Sequence, residues 1–178
     1  GLAKLDELTY WNSEQLKLGE KIQEKRKAFF AKINSYEKKF GEFEYRYYPN
    51  EMNEQRLKEC SSREIAAAVC LIGPHRDDFV FFEEGKDLSK YGSRGEQRTA
   101  VLDLKVTELI FFESVLGERP VLLLDDIFSE LDISHRAHVL DLAKLQQTII
   151  ATVEYDEYLK EALKDAQIFT VDNGLINP

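Results

Sequence analysis

The 178 residues carry 24 Lys and Arg against 33 Asp and Glu, a net charge of −9, with 43% hydrophobic and 32% charged residues. A chain of this size holds one ordinary domain with room for an appendage, and the balance specifies a packed core under a well-solvated surface. The charge argues against a broad basic face for nucleic acid, so any such contact must be local or supplied elsewhere. No apolar run reaches the roughly 20 residues of a membrane span, and no charged-then-apolar leader opens the chain. A soluble, cytoplasmic protein is the expectation.

From about Leu5 to Phe40, apolar residues recur at Leu8, Trp11, Leu18, Ile22, Phe29, Ile33, Tyr36 and Phe40. Gaps of three, four and seven line one helical face. The spacing predicts a helix of about 30 to 35 residues, roughly 50 Å at 1.5 Å each, longer than a small domain is wide, so it projects or packs on another helix. Lys and Glu alternate from Lys17 to Lys39, the pattern of a solvated face. After Gly41 the period drops to two, which predicts a strand over Phe43–Tyr48, stopped by Pro49 and Asn50. A short helix over Glu51–Cys60 follows, then a second, capped by Ser61 or Ser62, running into Ile65–Val69. Cys60 and Cys70 lie in no metal-ligand spacing; reduced thiols and no zinc site are expected.

Val69–Ile72 reads as a strand entering the loop Gly73-Pro74-His75-Arg76-Asp77-Asp78. A hairpin follows, with Phe79–Phe82 as one arm, a turn at Gly85, and Asp87–Tyr91 as the other. His75 and Arg76 could bind phosphate through the guanidinium fork, or Arg76 could pair with Asp77 or Asp78 while His75 shapes the loop. Gly92-Ser93-Arg94-Gly95-Glu96-Gln97-Arg98 then opens a long helix through Leu102, Val106, Leu109 and Phe112. Its start offers unpaired N–H groups and a positive dipole end to an anion such as a nucleotide γ-phosphate. Ser93 and Glu96 also form a capping box, and the two roles are compatible in different nucleotide states.

Pro120–Asp132, PVLLLDDIFSELD, is the most informative stretch. Four apolar residues, Val121–Leu124, predict a central strand of a parallel sheet covered on both faces. Asp125 and Asp126 fall at its carboxyl end, where open α/β sheets bind ligands and where a hard dication finds carboxylate oxygens. Beyond it the sequence predicts a helix over Arg136–Leu145 and a buried strand over Thr148–Thr152. A helix around Tyr155–Ala166 and a last strand and turn over Ile168–Gly174 complete the reading.

SRGEQR, followed about thirty residues later by LLLDDIFSELD, resembles the signature motif, Walker B strand and D-loop of ABC-type ATPases. With GPHRDD and YGSRGEQRTAVLDLK, the stretch from about Val69 to Asn173 resembles the C-terminal part of the RecF family of bacterial DNA replication and repair proteins, which are related to SMC and Rad50 heads. The resemblance implies an α/β fold: the C-terminal lobe of an ABC-type ATPase head at 69–178, with a mainly parallel sheet flanked by helices, and part of a helical arm at 1–68. Asp125 would hold the Mg²⁺ shell and Asp126 would orient the attacking water. Asp126 stands where most ABC ATPases have Glu, so slow hydrolysis is expected. Ser93, Arg94, Gly95, Glu96 and Gln97 would face the ATP of the opposite subunit, and Ser129, Glu130, Leu131 and Asp132 would lie at the dimer contact. Thr152 occupies the region where most ABC ATPases place a γ-phosphate-sensing His.

The 178 residues contain no G-x-x-x-x-G-K-[ST] loop. The expectation is therefore a C-terminal piece whose P-loop lies in an N-terminal lobe, inactive by itself. Within the whole protein, the resemblance implies an ATP-dependent homodimer that clamps DNA at single-strand gaps, supports recombinase loading, and has RecO- and RecR-type mediators as partners. The alternatives are another SMC- or Rad50-like head, or a non-catalytic interaction module.

Overall fold

The structure, a computed structural model, describes residues 5–153 and 155–177, with the side chains of 5–8 and 130 excepted. The side chains of Leu8, expected on the first helix face, and Glu130, expected in the D-loop, thus lie outside the described residues. The chain packs as two compact units, Gly1–Val115 and Leu116–Pro178.

The first unit opens with α1 (Leu5–Asn34). It stops six residues short of the expected Phe40 because its last turn is closed off by side chains. Ser35 Oγ donates to the Lys32 carbonyl at 2.6 Å and Lys38 Nζ to the Ile33 carbonyl at 2.6 Å. Phe40 leaves the helix yet still packs against the core, which is why the apolar period runs past the helix end. β1 (Phe43–Tyr48) follows, and its alternation buries Phe43 and Tyr45. Asn34 completes the edge of β1: its amide donates to the Tyr45 carbonyl at 2.8 Å and accepts the Tyr45 N–H at 2.9 Å. A side chain thereby occupies strand groups that an edge would leave open.

One helix, α2 (Glu54–Ala67), replaces the two expected. Asn53 caps it, accepting the Arg56 N–H at 2.8 Å, and Ser61 and Ser62 lie inside it. Val69–Ile72 is not a strand: α2 ends at Ala68 in the left-handed region (φ 52°), and the next residues run irregularly to a 3-10 turn at Pro74–Arg76. β2 (Asp78–Glu83) pairs antiparallel with β1, Tyr45 opposite Phe81, and with the two-residue β3 (Lys86–Asp87). The expected far hairpin arm becomes α3 (Leu88–Tyr91) after β3, because Asp87 accepts the Ser89 N–H and starts a helical turn. α4 (Arg94–Leu116) closes the unit. Ile33, Phe43, Tyr45, Leu88, Ala100 and Leu104 form its core, with Phe29, Phe30 and Phe81 packed around them. β1 thus pairs with β2 across residue 68, the expected boundary between arm and lobe.

In the second unit β4 (Leu122–Asp125) runs parallel to β5 (Thr148–Ala151), Leu123 opposite Ile149 and Asp125 opposite Ala151. The α/β class holds, with parallel pairing in these two strands. Burial on both faces does not: Val121 is 51%, Leu123 70% and Ile149 58% exposed. Among the described residues no further strand pairs with β4 or β5, and the face carrying Leu123 and Ile149 meets solvent. Between them lie a 3-10 turn (Ile127–Glu130) and α5 (Ile133–Ala143), the latter starting three residues earlier than predicted because Asp132 caps it. α6 (Glu157–Ala162) is shorter than expected. The predicted last strand and turn form a hairpin, β6 (Thr170–Asp172) with β7 (Leu175–Asn177), turned by Asn173 (φ 49°) and Gly174 (φ 79°). Two consecutive left-handed residues match the hairpin's twist, and Asn-Gly supplies them cheaply.

Candidate functional site

Two groups of expected residues are described separately, one in each unit. In the first, Ser93 and Glu96 form the capping box at the start of α4. Glu96 N–H donates to Ser93 Oγ at 3.3 Å, and Ser93 N–H donates to Glu96 Oε2 at 2.6 Å. The Ser93 side chain first, and its N–H second, hold the exposed Glu96 carboxyl below its usual range. The Ser93 hydroxyl is thus directed at the Glu96 carboxylate rather than left open to an anion. The Glu96 carboxylate also occupies the Ser93 N–H that such an anion would use.

The glycines divide by role. A Cβ on Gly92 would meet the Leu88 carbonyl oxygen at 2.7 Å, so packing alone demands glycine there. A Cβ on Gly95 would meet nothing nearer than Ser93 Oγ at 4.0 Å. Nothing within the unit requires glycine at 95, and the backbone there is open to close approach. Arg94, Gly95 and Gln97 are exposed, and Gln97 Nε2 ties the loop to the helix by donating to the Leu88 and Gly92 carbonyls at 2.8 and 3.2 Å.

In the second unit the parallel ladder sets the geometry. Asp125 ends β4 with its side chain exposed, and Asp126 N–H continues the ladder to the Ala151 carbonyl at 2.8 Å. Thr152 therefore follows directly beside the two acids. Asp126 is left-handed (φ 47°, ψ 28°), a conformation tolerated by Asp that turns the chain sharply into the 3-10 turn. Ser129 Oγ donates to the Asp126 carbonyl at 2.8 Å and lies 3.3 Å from Asp126 Oδ2. Phe128, fully buried, pins this turn. Asp132 Oδ1 accepts the His135 N–H at 2.9 Å while Oδ2 meets His135 Nδ1 at 2.9 Å. The His135 backbone first, and its ring second, hold the Asp132 carboxyl below its usual range. Leu131, Asp132, Ile133, Ser134, Arg136 and Asp156 line a shallow cleft, braced by Arg136 Nε donating to the Leu131 carbonyl at 2.9 Å.

Among the described residues no group of three or more His, Cys, Asp or Glu is arranged to hold a metal ion. An exposed strand-end carboxylate instead fits a small, hard ion that keeps several waters and takes its other oxygens from substrate phosphates.

Two carboxylates outside the expected site residues are hydrogen-bonded hubs. Asp77, in the GPHRDD loop, accepts from Gln23 Nε2 at 2.7 Å, Arg26 Nη1 at 2.7 Å, the Asn50 N–H at 2.8 Å and the Tyr47 hydroxyl. The foreseen pairing of Arg76 with Asp77 is not formed: the ion partner of Asp77 is Arg26. His75 Nε2 and Arg76 Nε both sit on the Cys70 carbonyl, at 3.1 and 3.2 Å. Burial opposes ionisation of Asp77, yet the bonds from Tyr47, Asn50, Gln23 and Arg26 outweigh it and lower its pKa. The same burial, with Asp77, pushes the Tyr47 hydroxyl up to about 12. Asp103, fully buried on α4, is the second hub. Its sequence signal is an acid at the buried phase of a helix, with Ala100, Leu104 and Thr107 on the same face.

Comparison with known proteins decides the family reading. A DNA replication and repair protein RecF from Lachnoclostridium phytofermentans is 34% identical over 97% of this chain and 51% of its own length. The chain is a homologue of the C-terminal portion of RecF. The RecF of Agathobacter rectalis is 33% identical over 97% of the chain and 51% of its length; that of Bacillus subtilis is 40% identical over 69% and 34%. The chain thus spans about half the length of the curated relatives that match it end to end. Two solved structures of the recombination mediator protein RecF in the RecFOR pathway superpose on it. RecF-ATPrS gives a TM-score of 0.76 at 27% identity, covering 98% of this chain and 51% of that one; RecF-ATP gives 0.73 at 27%, covering 99% and 51%. No family model matches the chain. Among the described residues no helix is long and apolar enough to cross a membrane.

Proposed function

We propose that this chain forms the Walker B, D-loop and signature half of a RecF-like ATPase that binds DNA as an ATP-dependent homodimer in the cytoplasm. The observation that carries this reading is the end of β4, where Asp125 and Asp126 stand exposed beside Thr152, in a homologue of proteins solved as RecF-ATP. Residues 1–68 would belong to the helical arm and 69–178 to the C-terminal lobe, with the P-loop in the N-terminal part of the whole protein.

In this reading Asp125 ligates Mg²⁺, which supplies charge neutralisation at the β- and γ-phosphates. Asp126 holds the attacking water, and its left-handed turn and the Ser129 hydroxyl fix where its carboxylate begins. An Asp reaches one methylene less far than a Glu, so turnover is slow. Ser93, Arg94, Gly95, Glu96 and Gln97 face the γ-phosphate held by the other subunit; the phosphate displaces Glu96 from the Ser93 N–H as the dimer closes. Ser129, Glu130, Leu131 and Asp132 lie at the dimer contact, and Thr152 stands by the γ-phosphate. The closed dimer engages DNA at single-strand gaps and supports recombinase loading with RecO- and RecR-type mediators. With a net charge of −9 on this half, the DNA contacts are local or come from the other half.

The test is the solution mass of the full-length protein carrying Asp126→Asn, by light scattering with and without Mg-ATP. A shift from monomer to dimer only with nucleotide supports the clamp, and Ser93→Arg should abolish the shift while leaving ATP bound. A nucleotide-bound protein that stays monomeric sinks it.

A further inference from the structure

Asp103 sits on α4 between Leu102 and Leu104 and is wholly shielded from solvent. Its Oδ2 accepts from the Tyr45 hydroxyl at 2.5 Å, and its Oδ1 accepts the backbone N–H groups of Lys39 and Phe40 at 2.6 and 3.0 Å. A buried carboxylate is costly, and these donors offset the cost. Burial, then the bond to Asp103, pushes the Tyr45 hydroxyl far above its usual range. Lys38 lies 4.5 Å over the Tyr45 ring; burial lowers its pKa and the Asp103 charge opposes that.

The placement joins three elements. Lys39 and Phe40 belong to the corner between α1 and β1, Tyr45 to β1 and Asp103 to α4. Apolar contacts among Ile33, Ala100 and Leu104 are non-directional and leave a helix able to slide along its axis. A carboxylate bonded to a hydroxyl and two backbone N–H groups at 2.5 to 3.0 Å fixes that axial position. Tyr36, in the same corner, adds a second tie, its hydroxyl 2.9 Å from Ser114 Oγ on the last turns of α4. At the other end Gln97 binds the signature loop to the helix. Ten residues of rigid helix, about 15 Å, separate Asp103 from Ser93.

We propose that Asp103 is a positioning residue for the signature segment: it locks α4 to the α1–β1 corner and so sets where Ser93 meets a nucleotide phosphate. A shift of the long helix α1 then reaches Ser93 as an axial shift of α4. The inference rests on the ATP-sandwich reading above.

The experiment uses the full-length protein and measures ATP affinity, the nucleotide-dependent dimer constant and thermal stability for Asp103→Ala, Asp103→Asn, Tyr45→Phe and Asp77→Ala. Asp103→Ala should weaken the ATP-bound dimer at least about tenfold while ATP affinity changes less than about twofold. Asp103→Asn, which still accepts both corner N–H groups, should recover to within about threefold of wild type. Tyr45→Phe, losing one donor, should fall between them and decides the matter if Asp103→Ala does not fold. Asp77→Ala removes a comparable hub from the same unit without touching the α4 junction, so it should lose stability and keep the dimer. The proposal is overturned if dimer affinity is unchanged in Asp103→Ala, or in Tyr45→Phe where that variant decides, or if Asp77→Ala weakens the dimer as much. Failure of the wild type to dimerise with ATP instead removes the sandwich reading itself.

Discussion

Four aspartates divide the molecule into two kinds of region. In the first unit the nearly shielded Asp77 side chain and the fully buried Asp103 are saturated with donors, Asp77 from α1, β1 and the loop after it, Asp103 from β1 and the corner before it. In the second, Asp125 and Asp126 stand exposed at a strand end, and Asp126 has one weak hydroxyl contact at 3.3 Å. A carboxylate whose lone pairs are already used holds structure, whereas one left open to solvent can take a metal ion or a water. Desolvation and donor count, rather than residue type, separate scaffold from candidate chemistry.

The comparison is broken most decisively at the exposed pair. Asp126→Asn in the full-length protein should cut the proposed ATP turnover by about a hundredfold or more in a steady-state phosphate-release assay, with little change in melting temperature. A variant that loses stability and keeps turnover would put Asp126 with the scaffold. Asp77→Ala should do the reverse, costing about 2 kcal/mol in urea unfolding because it strands several part-buried donors.

Protonation sharpens the same contrast. The native Asp77 pKa is lowered, so its contribution to stability is complete above the unfolded carboxyl value of about 4 and is lost as pH falls through the native value. The stability gap between wild type and Asp77→Asn should therefore narrow between neutral pH and about pH 3, measured by urea titration at each. A gap that widens on acidification would contradict this. The smallest effect is expected on the open face of the parallel pair. Leu123 is 70% exposed, so Leu123→Ser should cost the 178-residue chain less than about 0.5 kcal/mol.

Local chemistry made much of this legible. The capping box at Ser93 and Glu96, the alternation of β1, the acids ending β4 and the Asn173-Gly174 turn each follow from a few adjacent residues, and each is in place. What escaped depends on distant partners. Tyr36 and Phe40 extend the helical period because the corner folds onto the core that α1 faces, so pattern and helix part company. Ser61 and Ser62 looked like caps, but Asn53 starts the helix eight residues earlier and nothing at 61 ends it. Val121–Leu124 reads as doubly covered, while in these residues one face is open. Asp77 and Asp103 were hidden for the same reason: their donors lie 27 to 64 residues away in sequence.

The central claim, that Ser93 of one subunit completes the site of the other's Asp126, is tested most directly by mixing two inactive full-length variants. In a Ser93→Arg and Asp126→Asn heterodimer, one of the two sites has both residues intact. The mixture should exceed the summed turnover of its parts and approach about a quarter of the wild-type rate where the two variants pair as readily as wild type. A mixture no more active than the sum of its parts would contradict the account.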